Sequence, residues 1–429
     1  MDNRSTTHQD SRQNSITLSS DQEQAVSSVL EWYNEAKDGL AHHTKTMGGY
    51  AGTGKTTVLS YIRRELGEDI SVGFVSFTGK AVSVMKRKLY ESKTFHHGLD
   101  HISTIHSFMY RPITDSKGNV IDWEQKEMLE QGRGVPFNAR EWEFAPYVDL
   151  FIMDEASMTP EDLYEDLLKY NKPILAVGDH GQLPPVKGNF SLMQNPEVRL
   201  EHIHRQAEDS PILTMAHRAR EGKSLLKWGD NLSSDAGYVV RMKYSDVGGS
   251  DMEREIMAEP DSTKMVIVGT NKERLNINKA VLQHIRGNGK VIKPIPQVGD
   301  RLICLKNNNK IGIYNGMLGV VIGEKECYDY PQHNWHYLFT PDESPDTIMP
   351  LTMTKYTFLN QYNKVPESVP FMEVRERFDF AYAITCHKSQ GSEADKVVVM
   401  GQGFGDEEMR RRWLYTAITR ARKELYLVG

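Results

Sequence analysis

The sequence of 429 residues has no run of about 18 consecutive apolar residues, the length that a membrane-spanning helix needs. Charged residues make up 26% of the chain and hydrophobic residues 39%, and no segment after the polar N-terminal tail is of low complexity. These features exclude membrane-spanning, collagen-like and fully disordered proteins, and they are typical of a globular chain. The length predicts about three domains.

Cysteine is also scarce. The three cysteines, Cys304, Cys327 and Cys386, lie far apart, and none belongs to a CxxC pair. We therefore expect free thiols in a reducing compartment, because disulfides and structural zinc sites need paired or clustered ligands. Residues 1–17 are polar and lack the apolar segment of a secretory signal, so we expect a disordered tail there.

The chain lacks a positive net charge. Lys and Arg number 52 and Asp and Glu 58, which gives a net charge of −6 at pH 7. A broadly basic surface for nucleic acid is therefore not expected. The net charge of the whole chain still permits a narrow groove of hydroxyls, amides and a few cations. Nucleic-acid binding in such a groove should depend only modestly on salt concentration.

Short apolar runs alternate with helical patterns along the chain. Such runs are typical of strands in parallel sheets that are covered on both faces. They fall into two groups, one at 73–77, 149–155 and 173–179 and the other at 265–269, 396–400 and 424–429. The pattern predicts an α/β fold with two lobes. Ser20 and Glu23 predict a capping box at the start of the first helix.

Two segments depart from this α/β pattern. Residues 291–377 combine alternating apolar residues with Gly, Asn and Pro turns, which predicts an inserted antiparallel β module. Residues 110–147 contain the turn-like segment DSKGN and predict a β-hairpin. The predicted organisation is therefore a tail at 1–17, lobe 1 at 18–195, lobe 2 at 196–290 and 378–429, and the β module at 291–377.

The strongest motif is GYAGTGKT at 49–56, which fits GxxxxGK[ST] and precedes a helical pattern. Its glycines allow backbone N–H groups to surround phosphates, and the helix N-terminus adds positive potential. Lys55 can reach the β- and γ-phosphates, and the Thr56 hydroxyl can bind Mg²⁺. The predicted nucleotide-binding residues here are Gly49, Ala51, Gly52, Thr53, Gly54, Lys55, Thr56 and Thr57.

An acidic pair, Asp154 and Glu155, ends the apolar run LFIM. A carboxylate at a strand end beside such a loop can bind Mg²⁺, so we assign Asp154 to the metal. Glu155 can orient and deprotonate an attacking water. The alternative is that the pair only caps the next segment. The neighbouring phosphate loop favours the catalytic interpretation, and the two functions together favour hydrolysis over transfer to a bulky acceptor.

Six motifs occur in a fixed order along the chain. They are AGTGKT (51–56), DEAS (154–157), GDHGQLPPV (178–186), HRQ (204–206), TCHKSQGSE (385–393) and LYTAITRAR (414–422). Together they resemble the motifs of superfamily 1 DNA helicases, and most closely those of the RecD-like branch. The resemblance covers about residues 18–429. It implies two RecA-like lobes with ATP and Mg²⁺ between them, an SH3-like character for the β module around Asn315 and Gly316, and 5′→3′ movement.

The resemblance also assigns residues to the nucleotide site. It implies that Gln22 reads the adenine edge and that Gln182 senses the γ-phosphate. Arg205 and Arg420 would reach the γ-phosphate, the latter from across the cleft, and Gly391 would contribute from lobe 2. The alternatives are an exposed glutamine at a helix start for Gln22 and a solvated basic helix for Arg420, which lies among other arginines.

The resemblance further implies a DNA track along polar residues at strand ends. Hydroxyls, amides and a few cations suit phosphate and sugar contacts that carry no sequence information. The residues are Thr78, Gly79, Lys80, Thr104 and His106 in lobe 1, and Thr270, Asn271, Thr385, His387 and Lys388 in lobe 2. The hairpin lies where the family carries a strand-separating wedge. Phe108, Tyr110 and Trp123 are the candidate stacking residues, and a place in the hydrophobic core is the alternative for each.

The sequence therefore predicts a monomeric, cytoplasmic ATP-dependent DNA helicase of replication, recombination or repair, in the host cytoplasm if a phage encodes it. Its expected partners are single-stranded DNA and single-strand/duplex junctions, with a single-strand-binding protein and replisome or recombination proteins as further candidates, and no membrane. The first alternative is a DNA-dependent ATPase that translocates and remodels protein–DNA complexes without processive unwinding. A silent DNA-binding module, a subunit of a nuclease–helicase complex and a small-molecule kinase explain fewer of the motifs.

Overall fold

A computed structural model describes the chain over residues 18–114, 120–132, 143–185, 190–202, 209–246, 263–286, 293–308, 311–342, 344–360, 364–370, 373–401 and 404–429. Three predicted features lie outside these residues. They are the N-terminal tail at 1–17, the hairpin turn at 115–119 and Arg205.

Lobe 1 is built on a parallel sheet. Its strands are β1 (Thr44–Gly49), β2 (Val72–Ser76), β3 (His101–Thr104), β6 (Leu150–Asp154), β7 (Ile174–Gly178) and β8 (Val198–Leu200). They lie in the order β3-β2-β6-β7-β1-β8. The helices are α1 (Ser20–Lys37), α2 (Lys55–Glu65), α3 (Gly79–Glu91), α4 (Ile105–Met109) and α5 (Glu161–Leu168). Central strand residues such as Phe74 and Ile152 are fully buried, as expected for a sheet with both faces covered.

Two details of lobe 1 differ from the prediction. Strand β8 pairs in parallel with β1, so the lobe extends to Leu200 and not only to residue 195. Its three residues, VRL, are too few to show a strand pattern. The capping box is formed by Ser19 and Gln22, not by Ser20 and Glu23, because Ser19 is the extended residue that precedes the helix. The Ser19 backbone N–H donates to Gln22 Oε1 at 3.1 Å.

Lobe 2 is built on a second six-stranded sheet. Its strands are β9 (Asn231–Ser234), β10 (Gly237–Met242), β11 (Lys264–Val268), β17 (Ile384–Thr385), β18 (Ala394–Met400) and β19 (Ala421–Val428). The order is β17-β11-β18-β19-β10-β9, and only the edge strand β9 is antiparallel to its neighbour. The helices are α6 (Pro211–Arg220), α7 (Asn271–Arg286), α8 (Cys386–Ser389) and α9 (Glu407–Ile418).

The two insertions are both antiparallel. The hairpin pairs β4 (Tyr110–Thr114) with β5 (Val120–Gln125). The β module consists of β12 (Arg301–Cys304), β13 (Leu318–Lys325), β14 (Asn334–Pro341), β15 (Met349–Thr354) and β16 (Phe378–Phe380). These five strands lie in the order β15-β14-β13-β12-β16. The predicted boundary at 377 was therefore wrong, because β16 completes the module.

The segment 378–385 changes from the module to lobe 2. Its two strands, β16 and β17, belong to different sheets. Asn278 of α7 fixes the bend between them. Its Nδ2 donates to Phe380 O at 2.9 Å, and its Oδ1 accepts from the Ala383 N–H at 2.7 Å. The motif that follows is thus anchored to the body of lobe 2.

Candidate nucleotide and DNA sites

The phosphate loop connects β1 to α2. Gly52 and Gly54 adopt φ values of 84° and 75°, in the left-handed region that glycine tolerates best. Lys55 Nζ donates to Gly49 O at 2.6 Å and to Tyr50 O at 3.1 Å, so the ammonium lies inside the curve of its own loop. The loop therefore has the shape and the charge to receive an anionic phosphate group.

Gln22 lies against this loop. Its side chain is buried, and its Nε2 donates to Thr53 O at 3.0 Å. The alternative of an exposed glutamine at a helix start is therefore wrong. The amide lies close enough to the loop to contact a nucleotide bound there, and the adenine contact stays a prediction.

A cleft of about 1290 Å³ separates the two lobes. Lobe 1 lines it with the phosphate loop, the acidic pair and Gln182, and lobe 2 lines it with Gly391 and Arg420. The cleft thus joins residues that lie more than 360 positions apart in the sequence. Lys80, which we predicted to contact DNA, also lines this cleft and is only 7% exposed.

The acidic pair lies at the end of β6. Glu155 adopts φ 53° and ψ 39°, a left-handed conformation that is uncommon for a residue with a side chain. Its backbone N–H donates to Asp154 Oδ1 at 2.9 Å. Burial, and then the adjacent Asp154 carboxylate, raises the pKa of Glu155 to about 6, and burial also raises the pKa of Asp154. Two neighbouring half-buried carboxylates favour a cation beside them.

The donor set beside Asp154 fits Mg²⁺. The ion prefers oxygen ligands, and the Thr56 hydroxyl and the Asp154 carboxylate both line the cleft. Lys88 Nζ donates to Thr56 Oγ1 at 3.1 Å, and its charge acts to lower the pKa of Asp154. A side-chain ammonium therefore lies where the hydroxyl and carboxylate would hold the metal. Lys88 lies within an amphipathic helix and outside every motif, so no pattern in the sequence pointed to it.

Arg420 reaches the cleft from the end of α9. It is 6% exposed, so a solvated position is excluded, and its charge acts to lower the pKa of Glu155. Three of its nitrogens donate to lobe 2 acceptors: Nε to Thr416 O at 3.0 Å, Nη1 to Ser392 O at 3.2 Å and Nη2 to Thr419 Oγ1 at 3.1 Å. These bonds hold the guanidinium in place on the side of the cleft opposite the phosphate loop.

Gln182 lies in the loop after β7. Its Nε2 is 3.5 Å from Asp179 Oδ2, while its Oε1 is buried and makes no hydrogen bond within the described residues. An unpaired buried carbonyl oxygen costs free energy. Gln182 is therefore placed to gain a partner when a ligand or a lobe movement reaches the cleft, and its role as a γ-phosphate sensor stays a prediction.

The predicted DNA residues lie mostly at helix starts. Thr78 and Thr104 cap α3 and α4, and their hydroxyl oxygens accept from the N–H groups of Ala81 and Ser107, both at 3.2 Å.

In lobe 2, Thr270 bonds Glu273 in the first turn of α7, and its backbone N–H lies 2.9 Å from Glu273 Oε2. Asn271 begins α7, and Thr385 precedes α8. Hydroxyls and helix N-termini suit phosphate binding, and the DNA contacts themselves stay predictions.

The two histidines of the predicted track pack on aromatic rings. The His106 ring lies 6.2 Å from Phe77 and 5.8 Å from Tyr110, and the His387 ring stacks on Phe404 at 5.7 Å. Burial lowers the pKa of both histidines, so it favours their neutral forms. They can therefore serve as polar or stacking groups but contribute little positive charge.

A turn of the β module contacts both halves of the predicted track. Lys388 Nζ of lobe 2 donates to Asn315 Oδ1 at 2.6 Å. The adjacent Tyr314 packs on Gly79 of lobe 1 so closely that a Cβ at position 79 would lie 2.3 Å from Tyr314 Cβ. The turn at Asn315-Gly316 is thus positioned between the two lobes.

The three aromatic candidates for a wedge differ in exposure. Phe108 is 3% exposed and packs against Phe151 with the ring centroids 5.0 Å apart, so its stacking role is wrong and the core alternative is confirmed. Tyr110 hydrogen-bonds Asp166 beneath the hairpin. Trp123 is 61% exposed on β5 and remains available for a base.

The comparisons with known proteins agree with this geometry. The AAA domain model matches residues 17–237, and the UvrD-like helicase C-terminal domain model matches residues 380–428. The ATP-dependent RecD2 DNA helicase of Deinococcus radiodurans is 26% identical over 411 residues, which cover 90% of this chain and 47% of that protein. The ATP-dependent DNA helicase dda of Enterobacteria phage T4 is 24% identical over 469 residues, which cover 96% of this chain and 99% of that protein. The chain thus spans about half the length of RecD2.

Solved structures show the same fold. Bacteroides Pif1 bound to single-stranded DNA matches with a TM-score of 0.53 at 18% identity, over 96% of this chain and 92% of that one. Pif1 at forked duplex DNA matches with a TM-score of 0.54. This likeness confirms the predicted pair of RecA-like lobes. Across the described residues, no helix has the length and apolar character to span a membrane, and no group of three or more potential metal ligands occurs among His, Cys, Asp and Glu.

Proposed function

The chain belongs to the AAA domain family over residues 17–237 and to the RecD-like branch of superfamily 1 helicases, and from this membership we propose that it is an ATP-dependent DNA helicase. One observation carries the proposal. The phosphate loop and acidic pair of lobe 1 and Arg420 of lobe 2 line a single cleft. An ATP site that needs residues from both lobes couples nucleotide binding to the distance between them.

Five residues that line the cleft have separate roles in hydrolysis. Lys55 turns from the loop carbonyls to the β- and γ-phosphates, and Arg420 meets the γ-phosphate from the other side. Glu155 orients the attacking water and accepts its proton, which its raised pKa makes more favourable. Thr56 and Asp154 would hold Mg²⁺, which would supply positive charge to offset the negative charge of the phosphates.

Closure and opening of the cleft move the protein along single-stranded DNA. If the helix starts of the two lobes alternate their grip on the backbone, one cycle advances the chain along its track. Separating one base-pair step costs about 1.4 kcal/mol of stacking, a small share of what a nucleotide hydrolysis cycle can supply. We propose 5′→3′ movement from the resemblance of the six motifs to the RecD-like branch. Monomeric action and a cytoplasmic role in replication, recombination or repair are further parts of the proposal.

Unwinding of tailed duplexes tests the proposal. With ATP and Mg²⁺, a duplex with a 5′ single-stranded tail should be separated and one with a 3′ tail should not. Lys55→Ala, which removes the ammonium from the phosphate loop, is the control for ATP dependence. Separation of only the 3′-tailed duplex would reverse the polarity. DNA-stimulated hydrolysis without separation of either duplex would instead indicate a translocase that remodels protein–DNA complexes.

A further inference from the structure

A tyrosine of lobe 2 makes two hydrogen bonds to lobe 1. Tyr415 lies on α9 and is fully buried. Its Oη accepts from the Ala51 N–H of the phosphate loop at 2.9 Å and donates to Asp179 Oδ2 at 2.7 Å. One hydroxyl therefore joins the phosphate loop, the loop after β7 and a helix of the opposite lobe.

The surrounding residues fit this phenol closely. A Cβ on Gly181 would lie 2.9 Å from Tyr415 Cε1, so the ring packs directly on that glycine. The remaining oxygen of Asp179, Oδ1, accepts from the Gly181 N–H at 2.9 Å. Burial, and then the charge of Asp179, raises the pKa of Tyr415 well above its ordinary value. The phenol therefore stays protonated and keeps both of its hydrogen bonds at neutral pH.

The same helix also holds Arg420. Thr416, the residue after the tyrosine, accepts from Arg420 Nε through its carbonyl and from the Leu183 N–H through its hydroxyl, the latter at 2.9 Å. A change in the phosphate loop that moves Tyr415 thus also moves the segment that orients the arginine. The chain of contacts runs from Ala51 through the phenol to the guanidinium without a gap.

We propose that Tyr415 is a positioning residue that couples phosphate entry into the loop to the placement of Arg420. This inference rests on the proposed function. The Ala51 N–H belongs to the loop that surrounds phosphate, so a bound nucleotide competes with Tyr415 for this donor. When the nucleotide takes this donor, the hydrogen bond from Ala51 to Tyr415 is released. Whether this bond is released or kept then determines whether α9 can bring Arg420 to the γ-phosphate.

Tyr415→Phe tests the proposal, because it keeps the ring and removes both hydrogen bonds. The DNA-stimulated kcat should fall about 10- to 100-fold, as expected for two hydrogen bonds of ordinary strength, while the KM for ATP changes by less than about threefold. Tyr164→Phe is the matched control, because it removes one hydrogen bond, 2.8 Å long, to Thr44 within lobe 1. It should leave kcat and KM unchanged.

Gly181→Ala provides a second variant that keeps the phenol but displaces its ring. Like Tyr415→Phe, it should lower the DNA-stimulated kcat. The proposal is overturned if Tyr415→Phe retains the wild-type stimulated kcat, or if kcat falls only in proportion to a lowered melting temperature. Failure of the wild-type protein to show any DNA-stimulated hydrolysis would overturn the proposed function itself, so the two failures are distinguishable.

Discussion

Arg420 offers the sharpest test of how the two lobes share one reaction. Arg420→Lys keeps the positive charge but loses the geometry of the guanidinium. The arginine holds Thr416 O, Ser392 O and Thr419 Oγ1 with three different nitrogens. Each terminal nitrogen retains a further N–H that can face a phosphate oxygen. A lysine ammonium is a single point with three donors and cannot hold this side of the cleft and bind phosphate in the same way.

The size of the effect follows from this geometry. An arginine that stabilises the transition state of phosphoryl transfer contributes about 10³–10⁵ in rate, or roughly 4–7 kcal/mol. Arg420→Ala should lose all of this contribution. Arg420→Lys should still lose at least about 100-fold in kcat, because the charge remains but the bidentate contact does not. Equilibrium binding of a fluorescent ATP analogue should change by less than about tenfold in either variant, since the phosphate loop is intact.

Single-turnover hydrolysis with saturating single-stranded DNA measures this loss. Arg411→Lys is the control on the same helix, because Arg411 pairs with Glu407 at the surface and its side chain is 41% exposed. It should hydrolyse ATP within about twofold of the wild-type rate, as surface pairs contribute little. A rate for Arg420→Lys within tenfold of wild type would refute the assignment of Arg420 to the γ-phosphate.

Further expected outcomes concern the catalytic base Glu155, the predicted DNA track, the hairpin and the buried core of lobe 1. Glu155→Gln should bind ATP normally but hydrolyse it about 10²–10⁴-fold more slowly in rapid-quench experiments. Lys388→Ala should weaken single-strand binding and reduce its salt slope by about 1 in fluorescence titrations, with ATP affinity unchanged. Trp123→Ala should slow strand separation but not DNA-stimulated hydrolysis, and equal losses of both would contradict a wedge. Arg63→Ala should lower the free energy of unfolding in urea by about 3–5 kcal/mol, because it leaves a buried carboxylate unpaired, whereas the exposed Arg64→Ala should cost under about 1 kcal/mol.

The parts of the fold that sequence patterns predicted share a physical cause. Buried parallel strands read as continuous apolar runs, so β2 and β6, the latter with the acidic pair at its end, were predictable within one or two residues. Strand β8 was not, because three residues at a sheet edge leave no periodic signal. The capping box was misplaced by one position, since Ser19 and Ser20 both have the side chain that a cap needs.

The site shows the same division. Residues in motifs were predictable because the chemistry demands their types at fixed spacing, as for Lys55 and Glu155. Lys88 and Tyr415 make contacts between segments that are distant in sequence, and no local pattern reports such contacts. Phe108 and Trp123 show the converse. Both are aromatic residues of one region, and only the packing of the chain places the first in the core and the second at the surface.

The turn of the β module that lies between Gly79 and Lys388 has a mechanical consequence. Because Tyr314 rests on a glycine with no side chain to yield, the turn acts as a stop that limits how far lobe 1 and the module can approach. The hydrogen bond from Lys388 to Asn315 fixes the same turn to lobe 2. A closer approach of lobe 1 and the module than in this structure would therefore require this turn to move.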